Sequence, residues 1–202
     1  MAQHALRLGI IIASVRPGRV GDKVGSWLAE QAANHGDYDV DVIDLAEVDL
    51  PAKTDEPSHP LHGHYIHDYT WAWSARVSAC QAFVIVTPEY NHGYPAALKN
   101  ALDLVNMEWW YKPVGFASYG GVSGGLRAVQ QLKQVVTVLR MIPVAEAFIA
   151  PHVAEQITQG RFTPTAAQVA GTKALLDELL VVGKPLSHLH RHRPENLGSR
   201  TS

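Results

Sequence analysis

The sequence predicts a three-layer α/β domain, in which helices cover both faces of a parallel sheet. Two observations lead to this prediction. Short and nearly continuous apolar segments recur along the chain, as expected for strands that are buried on both faces. Segments with helical spacing of apolar residues lie between them, so that strand and helix alternate five times. The 202 residues, 47% of them hydrophobic, suffice for one domain with a sizeable core.

Five segments are predicted to be strands. Four of them are nearly continuous apolar runs, at residues 8–13, 83–87, 114–118 and 142–147. The fifth, at residues 40–45, alternates between apolar and polar residues. Alternation is typical of a strand with one exposed face, so we expect this segment at an edge of the sheet.

Five helices are predicted, over residues 20–34, 66–81, 95–106, 124–141 and 163–182. In the second helix, apolar residues three or four positions apart form one stripe, made of Ile66, Tyr69, Trp73, Val77 and Cys80. The last helix is expected to begin with Thr163 as its N-cap and Pro164 in its first turn. Residues 1–182 are thus predicted to form one domain. Residues 183–202 lose this periodicity and gain Pro, Ser and basic residues, which indicates a mobile tail.

The composition argues against two function classes. A formal net charge of -2 gives no electrostatic support for nucleic-acid binding. No segment approaches the roughly 20 consecutive apolar residues of a membrane span, so no membrane association is expected. The single cysteine, Cys80, suits a reducing compartment, and we expect the protein in the cytoplasm.

Three loops carry candidate binding residues, because ligands of open α/β sheets bind at the carboxyl ends of the strands. The first loop, residues 13–23, offers the hydroxyl of Ser14 and the guanidinium groups of Arg16 and Arg19. Gly18 and Gly21 permit a tight turn before the helix. Together with the positive end of the helix, these groups favour an anion such as phosphate. The alternative is an ordinary loop with surface arginines.

The second loop follows the third strand and reads Thr-Pro-Glu-Tyr-Asn-His-Gly at residues 87–93. Its exposed amides and its aromatic ring suit a planar polar ligand. The third loop, residues 117–128, contains four glycines in six residues and the ring of Tyr119. Backbone at those glycines can approach a ligand closely.

The third loop also permits a different function. Residues 121–125 match G-x-S-x-G, which places Ser123 where a hydrolase nucleophile would lie. Asp177 and either His188 or His190 follow in the order that a hydrolase triad requires. Both histidines lie in the segment predicted to be a tail, where nothing would hold an imidazole against Ser123. A serine hydrolase is therefore a remote alternative.

The three loops together resemble the NADPH-dependent FMN reductase family, whose flavodoxin-like members include quinone, chromate and azo-dye reductases. The resemblance rests on "SVRPGR", "PEYNHGYPAALKNALD" and "KPVGFASYGGVSGGLRAVQQLK", and it covers most of residues 7–150. It implies a flavodoxin-like fold with a five-stranded parallel sheet in the order 2-1-3-4-5. It further implies that FMN lies across the ends of strands one, three and four.

The resemblance also implies which residues bind FMN. Those around the 5'-phosphate would be Ser14, Arg16, Arg19, Val20 and Gly21. Those along the ribityl chain and the isoalloxazine ring would be Pro88, Glu89, Tyr90 and Asn91 on one side, and Ser118, Tyr119, Gly120 and Gly121 on the other. The first loop departs from the family pattern S-x-R-x-x-S-x-N at Val20 to Asp22, so the individual phosphate contacts there are less well defined. Asp22 would repel a phosphate unless its carboxylate pointed away.

With FMN bound, the expected activity is oxidation of NADPH or NADH and reduction of a quinone, free flavin or similar acceptor. No catalytic side chain and no metal site are expected; His59, His62, His64 and His67 have spacing only loosely suited to zinc. Residues 51–73 resemble a family segment that forms subunit contacts, which implies a homodimer or homotetramer. Five aromatic residues suggest an exposed surface for that contact: Trp71, Trp73, Trp109, Trp110 and Tyr111. Burial of about half of them in the core of the monomer is the alternative. The alternatives are a flavodoxin-like electron carrier and a flavin-binding regulatory module.

Overall fold

A computed structural model describes residues 5–191 and contains a parallel sheet of five strands. The order across the sheet is β2-β1-β3-β4-β5, as the resemblance implies. The strands are β1 (Leu6–Ile12), β2 (Tyr38–Asp44), β3 (Ala82–Pro88), β4 (Pro113–Tyr119) and β5 (Ile142–Ala150). A short antiparallel pair, β6 (Ile157–Thr158) and β7 (Arg161–Phe162), follows the sheet.

Helices cover both faces of the sheet. They are α1 (Gly21–His35), α2 (Leu45–Val48), α3 (Asp68–Ala79), α4 (Ala96–Asp103), α5 (Leu126–Val138) and α6 (Ala166–Leu186). One apolar core joins α1 and α6 to one face of the sheet, and a second core joins α3, α4 and α5 to the other face. The predicted three-layer architecture is therefore confirmed.

The positions of the strands also agree with the sequence pattern. β2, whose residues alternate, is an edge strand as predicted. β3 and β4 are buried at every residue, because they lie in the middle of the sheet with helices on both faces. β5 forms the opposite edge, and several of its residues are exposed although its sequence is mostly apolar.

The beginning of α6 differs from the prediction. Its N-cap is Thr165 and not Thr163, and the first helical residue is Ala166. The Thr165 hydroxyl accepts a hydrogen bond from the backbone N–H of Gln168, whose side chain accepts one from the backbone N–H of Thr165. This reciprocal capping box satisfies two N–H groups, whereas a cap at Thr163 would lack a Gln or Glu three residues later.

The end of α6 lies beyond the predicted limit of residue 182. The helix continues to Leu186, and one 3-10 turn follows at Leu189–Arg191. In that turn a ring nitrogen of His190 lies 3.1 Å from the carbonyl oxygen of Tyr111. Residues 192–202, most of the segment predicted to be mobile, lie outside the described residues.

Two of the five aromatic residues expected at an exposed surface are buried instead. Trp73 and Trp109 lie in the core at the α3 face, because each indole N–H finds a backbone carbonyl there, on Ala101 and Leu102 respectively. These hydrogen bonds satisfy the one polar atom of each indole ring, so burying the ring costs little free energy. Trp71, Trp110 and Tyr111 are partly exposed.

The predicted stripe of α3 also begins too early. Ile66 precedes the helix, and 63% of its surface is exposed. Its backbone N–H donates to the carboxylate of Glu56, which holds the residue outside the helix. Across the described residues, no helix has both the length and the hydropathy that crossing a bilayer demands.

Candidate functional site

The three candidate loops meet at the carboxyl edge of the sheet. β1, β3 and β4 are parallel neighbours, so the loops that follow them leave the sheet side by side. β3 and β4 are paired as far as Pro88 and Tyr119, and Ala13 still donates a backbone hydrogen bond to Val86 after β1 has ended. The structure therefore brings the predicted site residues to one edge.

A hydroxyl pair joins the first loop to the second. Ser14 is fully buried, and its Oγ lies 2.6 Å from the hydroxyl oxygen of Tyr90. The guanidinium group of Arg16 lies over the same ring, 3.6 Å from its centroid. This is a cation–π contact, and within the described residues Arg16 forms no ion pair. Its charge is thus available to an anion.

Arg19 differs from Arg16 in its partners. Its guanidinium group forms an ion pair with Asp44, the last residue of β2, whose side chain is only 9% exposed. Asp44 also accepts a hydrogen bond from the backbone N–H of Ala46, so it caps α2 at the same time. Asp22 is paired with the ammonium group of its neighbour Lys23 at 3.2 Å.

The second loop contains a tight two-residue turn. Tyr90 and Gly93 exchange two backbone hydrogen bonds, of 2.8 and 3.0 Å. The two residues between them, Asn91 and His92, have φ angles of 50° and 69°, as a type I' turn requires. Asn and His tolerate this left-handed region better than most residues do. The turn presents Asn91 to solvent beside the buried Ser14–Tyr90 pair.

The Glu89 side chain points toward the third loop. Its carboxylate accepts hydrogen bonds from the Ser123 hydroxyl at 2.9 Å and from the backbone N–H of Arg127 at 3.0 Å, and it forms an ion pair with the Arg127 guanidinium group. The Glu89 side chain is only 5% exposed. Burial alone would raise the pKa of Glu89, but these hydrogen bonds outweigh burial and hold the pKa below its ordinary value.

The third loop brings backbone close to buried hydroxyl groups. Ser118 is buried, and its Oγ has no hydrogen-bond partner among the described residues. Burial raises the pKa of the Tyr119 hydroxyl, which lies so close to Gly21 that a Cβ atom there would be 2.4 Å away. Gly125 has a φ of 87°, and a Cβ atom at this position would lie 2.9 Å from Ser118 and Tyr119. Both glycines are therefore required by close approach.

The hydrolase triad is not assembled. The Ser123 hydroxyl donates to Glu89, and Asp177 is instead hydrogen-bonded to His35 and Lys173. His190 contacts the carbonyl oxygen of Tyr111. Tyr111 precedes β4 and so lies at the amino ends of the strands, away from Ser123. His188 is exposed, and among the described residues Ser123 has no histidine partner. The hydrolase hypothesis is therefore wrong.

Sequence reasoning missed two residues of this region. Asp44 pairs with Arg19, and Arg127 pairs with Glu89. The available signal for Asp44 was its position at the end of a strand next to β1, where its side chain faces the first loop. Arg127 had a weaker signal, since only the folded loop shows that the first turn of α5 faces Glu89.

Comparison with known families decides the classification. Residues 6–155 match the NADPH-dependent FMN reductase family. The chain belongs to the NADPH-dependent FMN reductase family. It is 37% identical over 190 residues to an NAD(P)H-dependent FMN reductase of Schizosaccharomyces pombe, which covers 92% of this chain and 91% of the relative. It is 36% identical over 146 residues to an NAD(P)H-dependent FMN reductase of Saccharomyces cerevisiae, covering 67% of this chain and 76% of the relative.

A solved structure agrees with the fold of this chain. The flavoenzyme NAD(P)H:(acceptor) oxidoreductase FerB of Paracoccus denitrificans superimposes with a TM-score of 0.69 at 23% identity, covering 89% of this chain and all of that chain. The flavodoxin-like fold is therefore confirmed. The family confirms the predicted activity class, an FMN-dependent NAD(P)H oxidoreductase, and the predicted cofactors, FMN and NAD(P)H.

Proposed function

We propose that the three loops hold FMN and that the chain transfers reducing equivalents from NAD(P)H to a quinone, a free flavin or a similar small acceptor. When bound, FMN supplies the hydride-accepting and electron-donating chemistry. The protein contributes binding and orientation, for which it needs no nucleophile and no general acid.

The buried hydroxyl group of Ser118 is the observation that carries this proposal. A buried hydroxyl without a partner costs roughly 1–3 kcal/mol, so a ligand that bonds to it recovers this cost. Ser118 lies at the end of β4 and close to the third loop, where a Cβ atom on Gly125 would be 2.9 Å from it. A planar ligand rich in hydrogen-bonding groups, such as the flavin ring, fits this set of partners.

The first loop supplies the site for the phosphate. The residues in that role are Ser14, Arg16, Arg19, Val20 and Gly21. Arg16 has no ion pair within the described residues and is mostly exposed, so it offers its full charge. Arg19 shares its charge with Asp44, and we therefore assign the stronger phosphate contact to Arg16. The Asp22–Lys23 pair keeps the Asp22 carboxylate partly neutralised beside this site.

The second and third loops supply the walls for the ring. Those residues are Pro88, Glu89, Tyr90, Asn91, Ser118, Tyr119, Gly120 and Gly121. Glu89 takes part through its backbone, because its carboxylate is committed to Ser123 and Arg127. The carbonyl groups of Gly120 and Gly121 accept hydrogen bonds from Val153 and His152, which fixes this backbone before a ligand arrives.

A cleft beside the loops supports an apolar acceptor. It has a volume of about 440 Å³ and is lined mainly by apolar residues, including Val15 of the first loop and Ala96 and Ala97 at the start of α4. A quinone or a flavin ring can be accommodated in such a volume. We further propose a cytoplasmic homodimer or homotetramer, on the basis of the partly exposed Trp71, Trp110 and Tyr111 and of the family resemblance.

The colour of the purified protein tests the proposal. We expect a yellow protein whose flavin absorbance bleaches on addition of NADPH or NADH, and whose NAD(P)H oxidation accelerates when a quinone or FMN is added. A colourless protein that FMN does not reconstitute would contradict the site. A yellow protein whose NAD(P)H oxidation no acceptor accelerates would indicate an electron carrier instead.

A further inference from the structure

Glu89 connects the two loops that flank the proposed ring site. It belongs to the loop after β3, whereas Ser123 and Arg127 belong to the loop after β4 and to the first turn of α5. Two donors reach one carboxylate oxygen, and the Arg127 side chain reaches the other. A second and more exposed hydrogen bond also joins the second loop to α5: the Gln131 side-chain amide donates to the carbonyl oxygen of His92.

The Glu89 carboxylate also accepts a hydrogen bond from the first turn of α5, which the side chain of the N-cap residue cannot do. The N-cap residue is Gly125, which has no side chain and must remain glycine because of its close approach to Ser118 and Tyr119. The first turn of a helix exposes N–H groups that need acceptors and attracts negative charge. Glu89, which belongs to the second loop, supplies the negative charge and accepts a hydrogen bond from the backbone N–H of Arg127.

We propose that Glu89 is a positioning residue that clamps the second loop to the start of α5 and thereby fixes the backbone on both sides of the flavin. This role rests on the proposed FMN site. The Arg127 guanidinium group completes the clamp and balances the charge of the carboxylate. The clamp therefore controls both the affinity for FMN and the electrostatic environment of the reduced ring.

The two members of the pair have opposite effects on the reduction potential. The reduced flavin carries additional negative charge, so an unbalanced carboxylate beside it disfavours reduction. Arg127→Gln leaves Glu89 without its counter-charge, which lowers the midpoint potential. Glu89→Gln leaves an unbalanced guanidinium group, which raises it. A purely structural role would give shifts unrelated to the sign of the removed charge.

The experiment compares three variants with the unmodified full chain, each of them purified with FMN. The variants are Glu89→Gln, Arg127→Gln and the double variant. Lys173→Gln is the matched control, since Lys173 is an exposed basic residue that pairs with Asp177 on α6. The dissociation constant of FMN is obtained from the fluorescence of flavin released on dilution. The midpoint potential is obtained by equilibration with a reference dye.

We expect each single variant to bind FMN at least about fivefold more weakly, as the loss of about 1 kcal/mol implies. The double variant should be no weaker than the more affected single variant, because both substitutions break one clamp. The two single variants should shift the potential in opposite directions, and Lys173→Gln should change neither quantity. The Arg127 side chain is 48% exposed, so its variant tests the clamp even if Glu89→Gln fails to fold.

Two results overturn the inference. Single variants that bind FMN as tightly as the unmodified chain would show that the loops need no clamp, and shifts of the potential in the same direction would exclude the charge balance. In both cases the unmodified chain still binds FMN, so the proposed function stands. An unmodified chain that binds no FMN overturns the proposed function, and the positioning role with it.

Discussion

Tyr90 is the residue through which the first and second loops are joined. Its hydroxyl pairs with Ser14, and its ring carries the guanidinium group of Arg16. The sequence predicts Ser14, Arg16 and Tyr90 as candidates, because each lies in a loop that follows a predicted strand. Their mutual contacts were not predictable, since no local pattern specifies which side chains of two loops meet.

Tyr90→Phe tests this junction. The variant keeps the ring and the contact with Arg16 but loses the bond to Ser14, which is worth about 1 kcal/mol. We expect about fivefold weaker FMN binding and a smaller effect on the midpoint of urea unfolding, because Tyr90 lies at the edge of the core. Tyr111→Phe is the control, since that hydroxyl accepts a 3.3 Å hydrogen bond from Arg140, its one partner within residues 5–191, and lies far from the three candidate loops. Equal FMN affinity for Tyr90→Phe and the unmodified chain would show that the bond between Ser14 and Tyr90 does not support FMN binding.

Glu89 gives a pH dependence with a defined sign. Its pKa is lower in the folded chain than its ordinary value of 4.5, so the carboxylate form stabilises the folded state. That contribution is complete above pH 4.5 and is lost as the pH falls through the lowered value. We expect the difference in unfolding free energy between the unmodified chain and Glu89→Gln to be constant near neutral pH. It should shrink in denaturant titrations below pH 4.5; a difference that grows with acidity would refute the assignment.

At the scale of the elements, most of the fold was predictable from periodicity. The strands in the middle of the sheet are continuous apolar segments, and the helices between them have apolar stripes, so element type and order followed directly. The limits of the elements were less accurate, because capping depends on side-chain geometry that spacing does not encode. Ile66 was placed in a helix although Glu56 holds its backbone outside.

Thr165→Ala tests the capping box of α6. The substitution removes the acceptor for the Gln168 N–H, and it should lower the unfolding free energy by about 1 kcal/mol. Thr163→Ala is a close control, because Thr163 is also exposed and lies two residues away without capping the helix. Chemical denaturation measures both. A larger effect of Thr163→Ala would favour the N-cap expected from the sequence.

Gly21→Ala tests the contact between α1 and β4. The added methyl group would lie 2.4 Å from the Tyr119 hydroxyl, and because that ring is buried it must shift and disturb the end of β4. We expect weaker FMN binding and a lower thermal midpoint. Gly171→Ala in α6 is the control: its nearest neighbour would be 3.4 Å away, and Ala favours a helix interior. Unchanged FMN binding by Gly21→Ala would show that Tyr119 does not hold the site.

At the scale of the whole molecule, the site lies at one edge of one sheet. The three candidate loops follow β1, β3 and β4 and leave the sheet at this edge. On the proposed FMN site, NAD(P)H and the acceptor would therefore use the same region in turn. We therefore predict ping-pong kinetics, in which double-reciprocal plots at several acceptor concentrations give parallel lines. Intersecting lines would indicate that both substrates bind together.

The sequence by itself determined the sheet, the layers and the three candidate loops. The spacing of apolar residues predicts which strands are buried and which helices are amphipathic. Because the strands are parallel, the loops at their carboxyl ends then lie together. Only the tertiary structure decided which polar groups pair. It assigned Arg19 to Asp44, Glu89 to Arg127, and Trp73 and Trp109 to the core. These contacts join residues that are distant in sequence, and only the packing of whole elements sets the distances between them.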